Sequence, residues 1–518
     1  MKRRDFVRYA GIQLTIPFLV NGLKIQAQAN SPLFSDADPY DDRILVLIQM
    51  NGGNDGLNTV IPLDQYEAIM RVRSNIALPS ASVLKLRDNL GLHSRMTGMA
   101  TMYAEEKLGV LQSVGYPNQN RSHFRSTDIW NSASSATEYE NTGWLGRFLD
   151  RQYPGYPDKY PSADYPDPFA LTIGSTVSNT CEGNNGNFGI AVNDPKNLRP
   201  LAENDKENFD SVSYGEELKY LQNSILQTNS YSRSIQRAAE KGKNLATYPT
   251  NNSLGTQLKT IAQLISGGLK SRVYIARIGG FDTHANQTIA SNNTTGTHAE
   301  LLGGMSTAIK AFQQDLELIG AAHRVIGMTY SEFGRQIQSN LSGGTDHGNA
   351  APLFLFGTCV QGRITGENVQ IPNPLPAQAG VAMQIDFRNI YGSILTDWFG
   401  IKESEIKQWI YQDFTRLPII RSCNTATPAQ EVLLPLEAQV SPNPSWGPLH
   451  VTLTSTGSDC HLHLMNAQGQ TMRQQRWTKL FPGFQQLDIE MGDLPNGLYF
   501  LHLRQGLQHK TMQVVLQR

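Results

Sequence analysis

The chain has 518 residues, with 44 Lys and Arg against 45 Asp and Glu, a formal net charge of -1 and 39% hydrophobic residues. The length exceeds that of one small domain and the hydrophobic content is that of a folded protein, so we expect two or more domains. The balanced charge argues against a dedicated nucleic-acid-binding protein, which would carry a basic excess. No apolar run reaches the roughly 18 residues of a membrane-spanning helix, so none is expected.

The N-terminus has the features of an export signal. Arg3 and Arg4 precede a moderately apolar run, Ile12–Val20, and Ala27–Ala29 offers a small-residue cleavage site. The paired arginines resemble a twin-arginine signal, which exports proteins already folded. An ordinary secretory signal with a chance arginine pair is the alternative. Either reading predicts that residues 1–29 are removed and that the protein works outside the cytoplasm.

Several apolar runs in the middle of the chain are typical of buried parallel strands. A helix is predicted over Thr297–Ala321, with Thr297 and Glu300 as a capping box. A strand, a helix of this length and another strand make a βαβ unit, which predicts a mostly parallel sheet covered by helices on both faces. The predicted strands are Ile44–Met50, Leu108–Val114, Val273–Ile278, Arg324–Tyr330 and Pro352–Phe356.

Acidic and histidine residues follow three of these strands and precede a fourth. In such sheets, ligands bind beyond the carboxyl ends of the strands. Glycines flank each acidic residue and allow tight turns and close backbone approach. The residues at these four positions are Asp55, Asp282, His284, Glu332, Asp346 and His347.

A divalent metal ion would explain this set of residues, because converging carboxylates repel one another unless a cation neutralises them. Oxygen and imidazole ligands without thiolates suit Zn, Mn, Mg or Ca, with one or two ions. Asp346 and His347 are adjacent, so in an extended chain they point to opposite sides; each could serve a different ion, or one could orient another ligand. The alternative is that Asp55 and Asp282 are ordinary turn residues.

The chain changes character after a polar linker, residues 422–436. Short runs of alternating apolar and polar residues, separated by turn signals, predict a small C-terminal β-sandwich. The four cysteines are widely spaced without a Cys-x-x-Cys pair, which argues against a zinc ribbon, a thioredoxin-type centre or a disulfide scaffold, and we expect them to be unpaired. The predicted strands are His450–Thr454, Cys460–Met465, Gln486–Ile489, Leu498–Leu503 and Thr511–Leu516.

Residues 437–518 resemble the C-terminal sorting domain of the type IX secretion system of Bacteroidota. The resemblance rests on Val440–Pro444, Asn466–Gly469 and Leu494–Tyr499. It implies that the secretion machinery is a partner and that the protein is secreted or held at the cell surface. The alternative is a carbohydrate-binding sandwich, whose exposed aromatic side chains would be Trp446, Trp477 and Phe484.

Residues 40–421 resemble the bacterial family DUF1501, which is grouped with the alkaline phosphatase and sulfatase superfamily. The resemblance implies an alkaline-phosphatase-like α/β fold and a metal-dependent site that cleaves esters. Asp346-His347-Gly348-Asn349 is also similar to a metal motif of the cofactor-independent phosphoglycerate mutases. The matching runs are Asn51–Asn58, Gly115–Pro117, Asn120–Phe124, Gly280–His284, Ser331–Arg335 and Asp346–Gly348.

The resemblance also implies roles for individual residues. Asp55, Asp346 and His347 would hold one ion, Asp282 and His284 would contribute to another, and Glu332 would be a further ligand. A hydroxyl nucleophile is expected at a turn between a strand and a helix: Ser122 first, Thr127 second. The Ser122 hydroxyl could instead cap a helix N-terminus. His123 could be a ligand, a proton donor or a packed surface residue, and Arg121 or Arg125 would hold the oxygens of the anion.

The chain departs from the superfamily pattern in three respects. No histidine occurs between His347 and the C-terminal domain, where the usual third ligand would stand. Asp282 and His284 are closer together than the familiar spacing, so a single ion is an open alternative. The motif of formylglycine sulfatases is missing. We therefore expect an exported metal-dependent hydrolase of phosphate or sulfate esters, acting on a small molecule or a polymer. The alternatives are a non-catalytic cell-surface binding protein, or an envelope protein with a structural ion.

Overall fold

The structure is a computed structural model that describes residues 15–20, 23–28, 42–198, 215–421, 423 and 434–518, with short gaps at 456, 458, 467–470, 479 and 506–507. The twin arginines Arg3 and Arg4 and nearly all of the predicted linker lie outside the described residues. The chain divides into two units, one comprising Tyr40–Thr425 and the other Met1–Pro39 with Ala426–Arg518. In the second unit, β1 (Thr15–Val20) and β2 (Leu23–Gln28) pair antiparallel.

The larger unit alternates strands and helices along its length. Its strands are β3 (Ile44–Met50), β4 (Val60–Pro62), β5 (Leu84–Arg87), β6 (Leu90–Leu92), β7 (Leu108–Gly115), β8 (Ala170–Ile173), β9 (Gly189–Val192), β10 (Val273–Ile278), β11 (Val325–Tyr330), β12 (Ala351–Phe356), β13 (Ile364–Thr365) and β14 (Ile385–Asp386). Its helices are α1 (Gly56–Thr59), α2 (Tyr66–Arg73), α3 (Thr97–Ala104), α4 (His123–Ser132), α5 (Trp144–Gln152), α6 (Gly215–Lys241), α7 (Ser253–Ser266), α8 (Thr297–Leu318), α9 (Phe387–Asp397) and α10 (Glu403–Trp409).

One large sheet organises this unit. Its order is β13-β7-β12-β11-β3-β10-β8-β9, and β14 also pairs with β7. Every pairing is parallel except those of β12, which runs antiparallel to both β7 and β11. The predicted mostly parallel sheet is therefore confirmed, but the prediction that residues 352–356 form a parallel strand is wrong. The strands β4, β5 and β6 form a separate small sheet.

The reversed direction of β12 matters for the position of the site. Because β12 runs against its neighbours, its start lies at the edge where β11 and β7 end. Asp346 and His347, which precede β12, therefore reach the same edge as the residues that follow β3, β10 and β11. The inversion brings together residues that a fully parallel sheet would place at opposite edges.

The sheet is buried on both faces, as its continuous apolar strands predict. Alternate residues of β3 belong to different cores: Val46 and Ile48 pack on one face, and Leu45 and Leu47 on the other. Residues of α3, α7 and α8 complete the first core, and residues of α4, α5, α9 and α10 complete the second. This confirms the arrangement of helices on both faces.

Two local expectations are corrected. Helix α8 begins at Thr297 with Gly296 as its N-cap residue and without a side-chain cap, so Thr297 and Glu300 do not form a capping box. Cys359 and Cys423 form a disulfide with a Cα–Cα distance of 5.2 Å, so the expectation of unpaired cysteines is wrong for this pair. Widely separated cysteines meet here because the chain returns to β12, a relation that sequence spacing does not show.

The C-terminal unit contains β15 (Leu434–Pro435), β16 (Ala438–Ser441), β17 (Pro448–Ser455), β18 (Cys460–Asn466), β19 (Thr471–Trp477), β20 (Gly483–Glu490), β21 (Gly497–Gln505) and β22 (Gln508–Leu516). These strands form two sheets, ordered β15-β22-β21-β18-β19 and β16-β17-β20, that share one apolar core. All pairs are antiparallel except β15 with β22. The predicted C-terminal β-sandwich is confirmed. Across the described residues, no helix has both the length and the apolar content needed to cross a membrane.

Candidate active site

Polar side chains that follow three strands of the large sheet and precede a fourth meet at one edge. His123 is the first residue of α4, which follows β7. Asp282 and His284 follow β10, and Glu332 follows β11. His347 lies before β12, whose reversed direction brings it to this edge. The five side chains therefore come from distant parts of the sequence, and the topology of the sheet places them together.

Asp282 lies among three imidazole rings. Its Oδ1 atom is 3.2 Å from His284 Nε2 and 3.1 Å from His347 Nε2, and its Oδ2 atom is 3.5 Å from His123 Nε2. Ligand atoms of His123, Asp282 and His347 all lie within 4.8 Å of one another. His284 Nε2 and His347 Nε2 are 3.0 Å apart. Three imidazole nitrogens thus lie around the two oxygens of one carboxylate.

The second ring nitrogen of each histidine, Nδ1, is hydrogen-bonded to an acceptor outside this centre. His123 Nδ1 is 2.8 Å from Glu332 Oε1, and His284 Nδ1 is 2.9 Å from Asp346 Oδ1. His347 Nδ1 is 2.9 Å from the backbone carbonyl oxygen of Arg121. A carbonyl or an ionised carboxylate only accepts, so each Nδ1 is placed to donate a proton, and a ring protonated there alone presents its Nε2 lone pair to the centre.

Glu332 and Asp346 were expected to be metal ligands, but each carboxylate contacts the Nδ1 atom of a histidine. Glu332 Oε1 also accepts a hydrogen bond from Gly52 N at 2.8 Å, and the side chain is only 4% exposed. Asp346 Oδ1 additionally accepts from Asn340 Nδ2 at 3.2 Å. Both carboxylates lie behind a histidine instead of beside the other ligand atoms. In the adjacent pair Asp346 and His347, Asp346 contacts the His284 ring and His347 contacts Asp282.

The donor set fits a divalent cation. Metal-ligating histidines commonly donate their second N–H to a carboxylate or a carbonyl, which is the arrangement found for all three rings. Two imidazole lone pairs facing each other across 3.0 Å repel unless a cation or a proton lies between them. His123, Asp282, His284 and His347 are the residues that could hold such an ion.

Arg335 fixes the position of Asp282. Its buried guanidinium donates from Nη2 to Asp282 Oδ1 at 2.5 Å and to the carbonyl oxygen of Phe281 at 3.0 Å. It also donates to the carbonyl oxygens of Gly53 and Thr345, at 2.8 and 2.9 Å. One side chain therefore ties the exits of β3 and β10 to the segment before β12.

The pKa values of the site follow from these contacts. Burial alone would raise the pKa of the Asp282 carboxyl, but the hydrogen bond and charge of Arg335 hold it below its ordinary value. Its hydrogen bond with His284 lowers the pKa of Asp346. Burial lowers the pKa of His347. All three shifts favour ionised carboxylates and a neutral imidazole near pH 7, the forms that bind metals.

A close backbone approach at this edge requires glycine. Gly52 has φ of +120°, and a Cβ atom there would lie 2.2 Å from the backbone nitrogen of Asp282. Gly348 is similar, because its Cβ would lie 2.2 Å from the carbonyl carbon of Arg335. The glycines that flank the acidic residues therefore permit this packing, as expected.

Asp55, expected from the sequence to be a metal ligand, is not in the group of His123, Asp282 and His347. Its carboxylate accepts two hydrogen bonds from Arg73 Nη1, at 2.9 and 3.0 Å, and one from Gln287 Nε2 at 2.6 Å. Burial would raise the pKa of Asp55, but Arg73 holds it below its ordinary value. Gln287 Oε1 in turn accepts from the hydroxyls of Thr283 and Thr345, each at 2.9 Å. Arg73 already neutralises Asp55, and the pair supports the loops that carry Asp282 and Asp346.

Ser122 lies at the N-cap position of α4 and is exposed, but its side chain makes no cap hydrogen bond. Arg125 is engaged elsewhere: it forms an ion pair with Asp128, donates to the carbonyl oxygen of Ser135 at 3.0 Å, and lies 3.9 Å from the ring centre of Tyr139. The guanidinium of Arg125, expected from the sequence to hold an anion, is thus occupied by contacts within the chain. Its guanidinium anchors the segment after α4.

Arg121 lies closer to the histidine cluster. Its guanidinium donates to Asn349 Oδ1 at 2.9 and 3.0 Å and to the carbonyl oxygen of Gln378 at 3.0 Å. Its own carbonyl oxygen accepts the hydrogen bond from His347. The side chain of Arg121 is thus held by Asn349, and its backbone orients a histidine.

Sequence reasoning named no role for Arg73, Gln287 or Arg335. Arg335 lies in the run Ser331–Arg335, so its position in a recognised motif was a usable signal. Arg73 gave no such signal, because it lies in α2 among ordinary helix-forming residues. Buried arginines that bond to carbonyl oxygens are visible only once the surrounding backbone is known.

The fold and site define an exported α/β protein with a histidine and carboxylate cluster at the carboxyl edge of its sheet. A family model described as "Protein of unknown function (DUF1501)" matches residues 42–410, and the chain belongs to this family. A second model, described as a secretion system C-terminal sorting domain, matches residues 439–517. The type IX sorting domain directs the protein to export and to secretion or attachment at the cell surface. No curated protein matches the chain.

Solved structures similar to the chain include members of the alkaline phosphatase superfamily. A protein of this superfamily from Vibrio parahaemolyticus is 10% identical over 92% of this chain and 83% of its own, with a TM-score of 0.33. A sulfatase from Pseudoalteromonas is 10% identical over 90% and 84%, with a TM-score of 0.29. A phosphonate monoester hydrolase from Silicibacter pomeroyi is 9% identical over 91% and 89%, with a TM-score of 0.31. No conclusion about activity follows from similarities this distant.

Proposed function

We propose that the larger unit is a metal-dependent hydrolase of phosphate or sulfate esters that acts outside the cytoplasm. The observation that supports this proposal is the convergence of three imidazole Nε2 atoms on the Asp282 carboxylate, with each Nδ1 bonded to an acceptor. The Nδ1 hydrogen bonds hold the rings so that the Nε2 atoms face one another. A bound cation would stabilise this arrangement, whereas neutral rings without a cation would be expected to turn their lone pairs apart.

The proposed ligands are His123, Asp282, His284 and His347. Glu332 and Asp346 orient two of the rings, and Arg335 positions the carboxylate. Three nitrogen ligands and one oxygen ligand favour zinc over magnesium or calcium, which prefer oxygen. The four residues form one cluster, so a single ion is proposed. When bound, such an ion polarises an ester oxygen and lowers the pKa of a hydroxyl or water.

A hydroxyl of α4 is the proposed nucleophile. Ser122 precedes His123 directly, and its hydroxyl is not used as a helix cap. Thr127 is the second choice: it lies one helical turn after His123, and His123 and Thr127 both line one cavity. Arg121, beside His347, is the proposed cation for the non-reacting oxygens of the ester, since its guanidinium is only partly engaged by Asn349.

The test is hydrolysis of 4-nitrophenyl phosphate, bis-4-nitrophenyl phosphate and 4-nitrophenyl sulfate by the full chain. We expect turnover that is lost on chelation and restored by zinc. His347→Ala should lose turnover together with zinc, whereas Ser122→Ala should lose turnover and keep zinc. Gln152→Ala, at the exposed end of α5, is the matched control. Full activity of Ser122→Ala would indicate that Thr127 or a water molecule is the nucleophile.

A non-catalytic, cell-surface binding role is the second candidate. It is favoured by the Ser122 hydroxyl, which has no hydrogen bond to a base among the residues that the structure describes. Bound zinc without turnover of any of the three esters would support this candidate and overturn the first.

A further inference from the structure

A polar cavity of about 490 Å³ opens beside the histidine cluster. His123 and Glu332 form one end of its lining, and α4 forms one wall. His123, Thr127 and Asn131 are spaced by four residues, so they form one stripe along this helix. With a rise of about 1.5 Å per residue, the stripe extends about 12 Å from His123 to Asn131. A molecule held at the cluster can therefore continue along the cavity.

The lining is rich in side-chain amides. Gln49, Asn51, Asn131 and Asn179 all border the cavity, and among the described residues no lysine or arginine does. Its two carboxylates are already engaged, because Glu332 is bonded to His123 and Asp128 is paired with Arg125. The cavity therefore offers hydrogen-bond donors and acceptors without free positive charge.

Two of these amides are largely buried and have unused hydrogen-bonding atoms. Gln49 is 6% exposed and Asn131 is 8% exposed. Asn131 Oδ1 accepts from Thr180 Oγ1 at 2.8 Å, but its Nδ2 has no hydrogen bond to any residue in the described part of the chain. The side chain of Gln49 has none either within that part. Both amides line the cavity and are not among the fully enclosed polar atoms without a partner, so their unbonded atoms are open to a polar ligand that enters it.

Gln49 reaches the cavity because of its place in β3. Alternate residues of this strand face opposite sides of the sheet, and Gln49 shares the face of Leu45 and Leu47. That is the face covered by α4. A polar side chain there, at the end of an otherwise apolar strand, is costly unless it binds something.

We propose that Gln49 and Asn131 form a subsite for a neutral, hydroxyl-rich group, a sugar ring, that carries the ester at His123. Each carboxamide can donate and accept at once, which matches neighbouring hydroxyls. Phe124, 91% exposed at the rim, offers a ring face for the apolar side of a sugar. This subsite deepens the proposed function and rests on it for the position of the ester.

The charge of the lining favours this ligand over a polyanion. A highly sulfated chain or a nucleic acid requires arginine or lysine along its path, and the described lining of the cavity has neither. A peptide would expose alternating apolar side chains that need apolar pockets, whereas the wall next to Gln49 and Asn131 is polar. The amides therefore select the neutral part of the substrate, while the histidine cluster selects the ester.

The test measures binding of methyl glycosides of glucose, galactose and mannose to the chelated full chain, by saturation-transfer NMR followed by titration. We expect at least one glycoside to bind, and Gln49→Leu and Asn131→Asp each to weaken it by about tenfold. Asn131→Asp keeps the oxygen that accepts from Thr180, so the local fold is retained. Phe124→Ala changes an exposed residue and should weaken binding without any effect on folding. Gln152→Ala is the control.

The proposal is overturned if no glycoside binds, if the three variants bind like the wild type, or if heparin or a neutral peptide binds in the same variant-sensitive way instead. Since this assay needs neither metal nor turnover, its outcome is separate from that of the ester assays. Glycoside binding with no ester turnover would sustain the subsite and contradict the hydrolase proposal.

Discussion

The Nε2 atoms of His284 and His347 lie 3.0 Å apart, although the opposite nitrogen of each ring is already bonded to an acceptor. If each ring carries its proton on Nδ1 alone, two lone pairs face each other beside the Asp282 carboxylate. A cation in the gap would relieve their repulsion. The proposed metal site is therefore the space between the two histidines.

Asp346 should act through His284. Asp346→Ala removes the acceptor of His284 Nδ1, so the ring can rotate, and we expect zinc affinity to fall about 10–100-fold. Asp346→Asn can keep an acceptor oxygen, so its zinc affinity should fall less. Competition titration with a chromophoric chelator measures both. Unchanged affinity in Asp346→Ala would show that this carboxylate does not orient the ring.

Arg73 should stabilise the fold without contributing to metal binding. Arg73→Met leaves Asp55 buried without its partner and should lower the free energy of unfolding by about 3–5 kcal/mol. Arg73→Met combined with Asp55→Leu should recover much of this loss, as followed by urea denaturation. Zinc affinity should be unaltered in the double variant. Loss of zinc binding in the double variant would instead support Asp55 as a metal ligand, the role expected from the sequence.

Acid should destabilise the larger unit through two buried histidines. Burial lowers the pKa of His298 to about 4 and that of His93 to about 3, and both are 1% exposed. The unfolded chain binds protons at these histidines below about pH 6.5, whereas the folded chain does not until about pH 3–4. The free energy of unfolding should therefore fall as the pH drops from about 6.5 towards 4.

His93→Gln and His298→Gln each remove one of these titrating groups, so each should flatten the fall in stability. Urea unfolding at pH 7, 6, 5 and 4 provides the comparison. The same pH dependence in both variants and the wild type would assign the acid sensitivity to other groups. His323, an exposed histidine, supplies the control variant His323→Gln.

The disulfide should stabilise the larger unit. It links Cys359 and Cys423 across a sequence separation of 64 residues. Closing a loop of this length restricts the unfolded chain by about 4 kcal/mol on an entropic model. We expect dithiothreitol to lower the melting temperature of the wild type and to have no effect on a Cys359→Ala/Cys423→Ala variant. An equal melting temperature with and without reductant, with both thiols titratable after reduction, would contradict this.

The sequence predicted the elements that depend on local pattern. The bounds of Ile44–Met50 and Val273–Ile278 agree with the structure because unbroken apolar runs between polar turns specify buried strands. Because sites in α/β sheets lie at the carboxyl edge, the sequence also predicted that Asp282, His284 and His347 lie close together, and in the structure they do. These predictions needed only periodicity and the general position of sites in α/β sheets.

The pairing of side chains could not be predicted in the same way. His284 and Asp346 are 62 residues apart, and their contact depends on the reversed direction of β12. Asp55 was assigned to the site because it follows β3, but the nearby Arg73 neutralises it at a buried position. A motif shows that a carboxylate is present at an edge. Only the three-dimensional packing shows whether that carboxylate pairs with an arginine, as Asp55 does, or lies beside histidines, as Asp282 does.

The most direct test of the proposed metal site is the zinc content of the full chain, measured by mass spectrometry after equilibration with zinc and extensive dialysis. We expect about one zinc ion per chain in the wild type, and loss of zinc in Asp282→Asn and His347→Ala with unchanged circular dichroism. Gln152→Ala should retain it. A wild-type protein that is folded and retains no zinc, manganese or other divalent metal would contradict the proposed site.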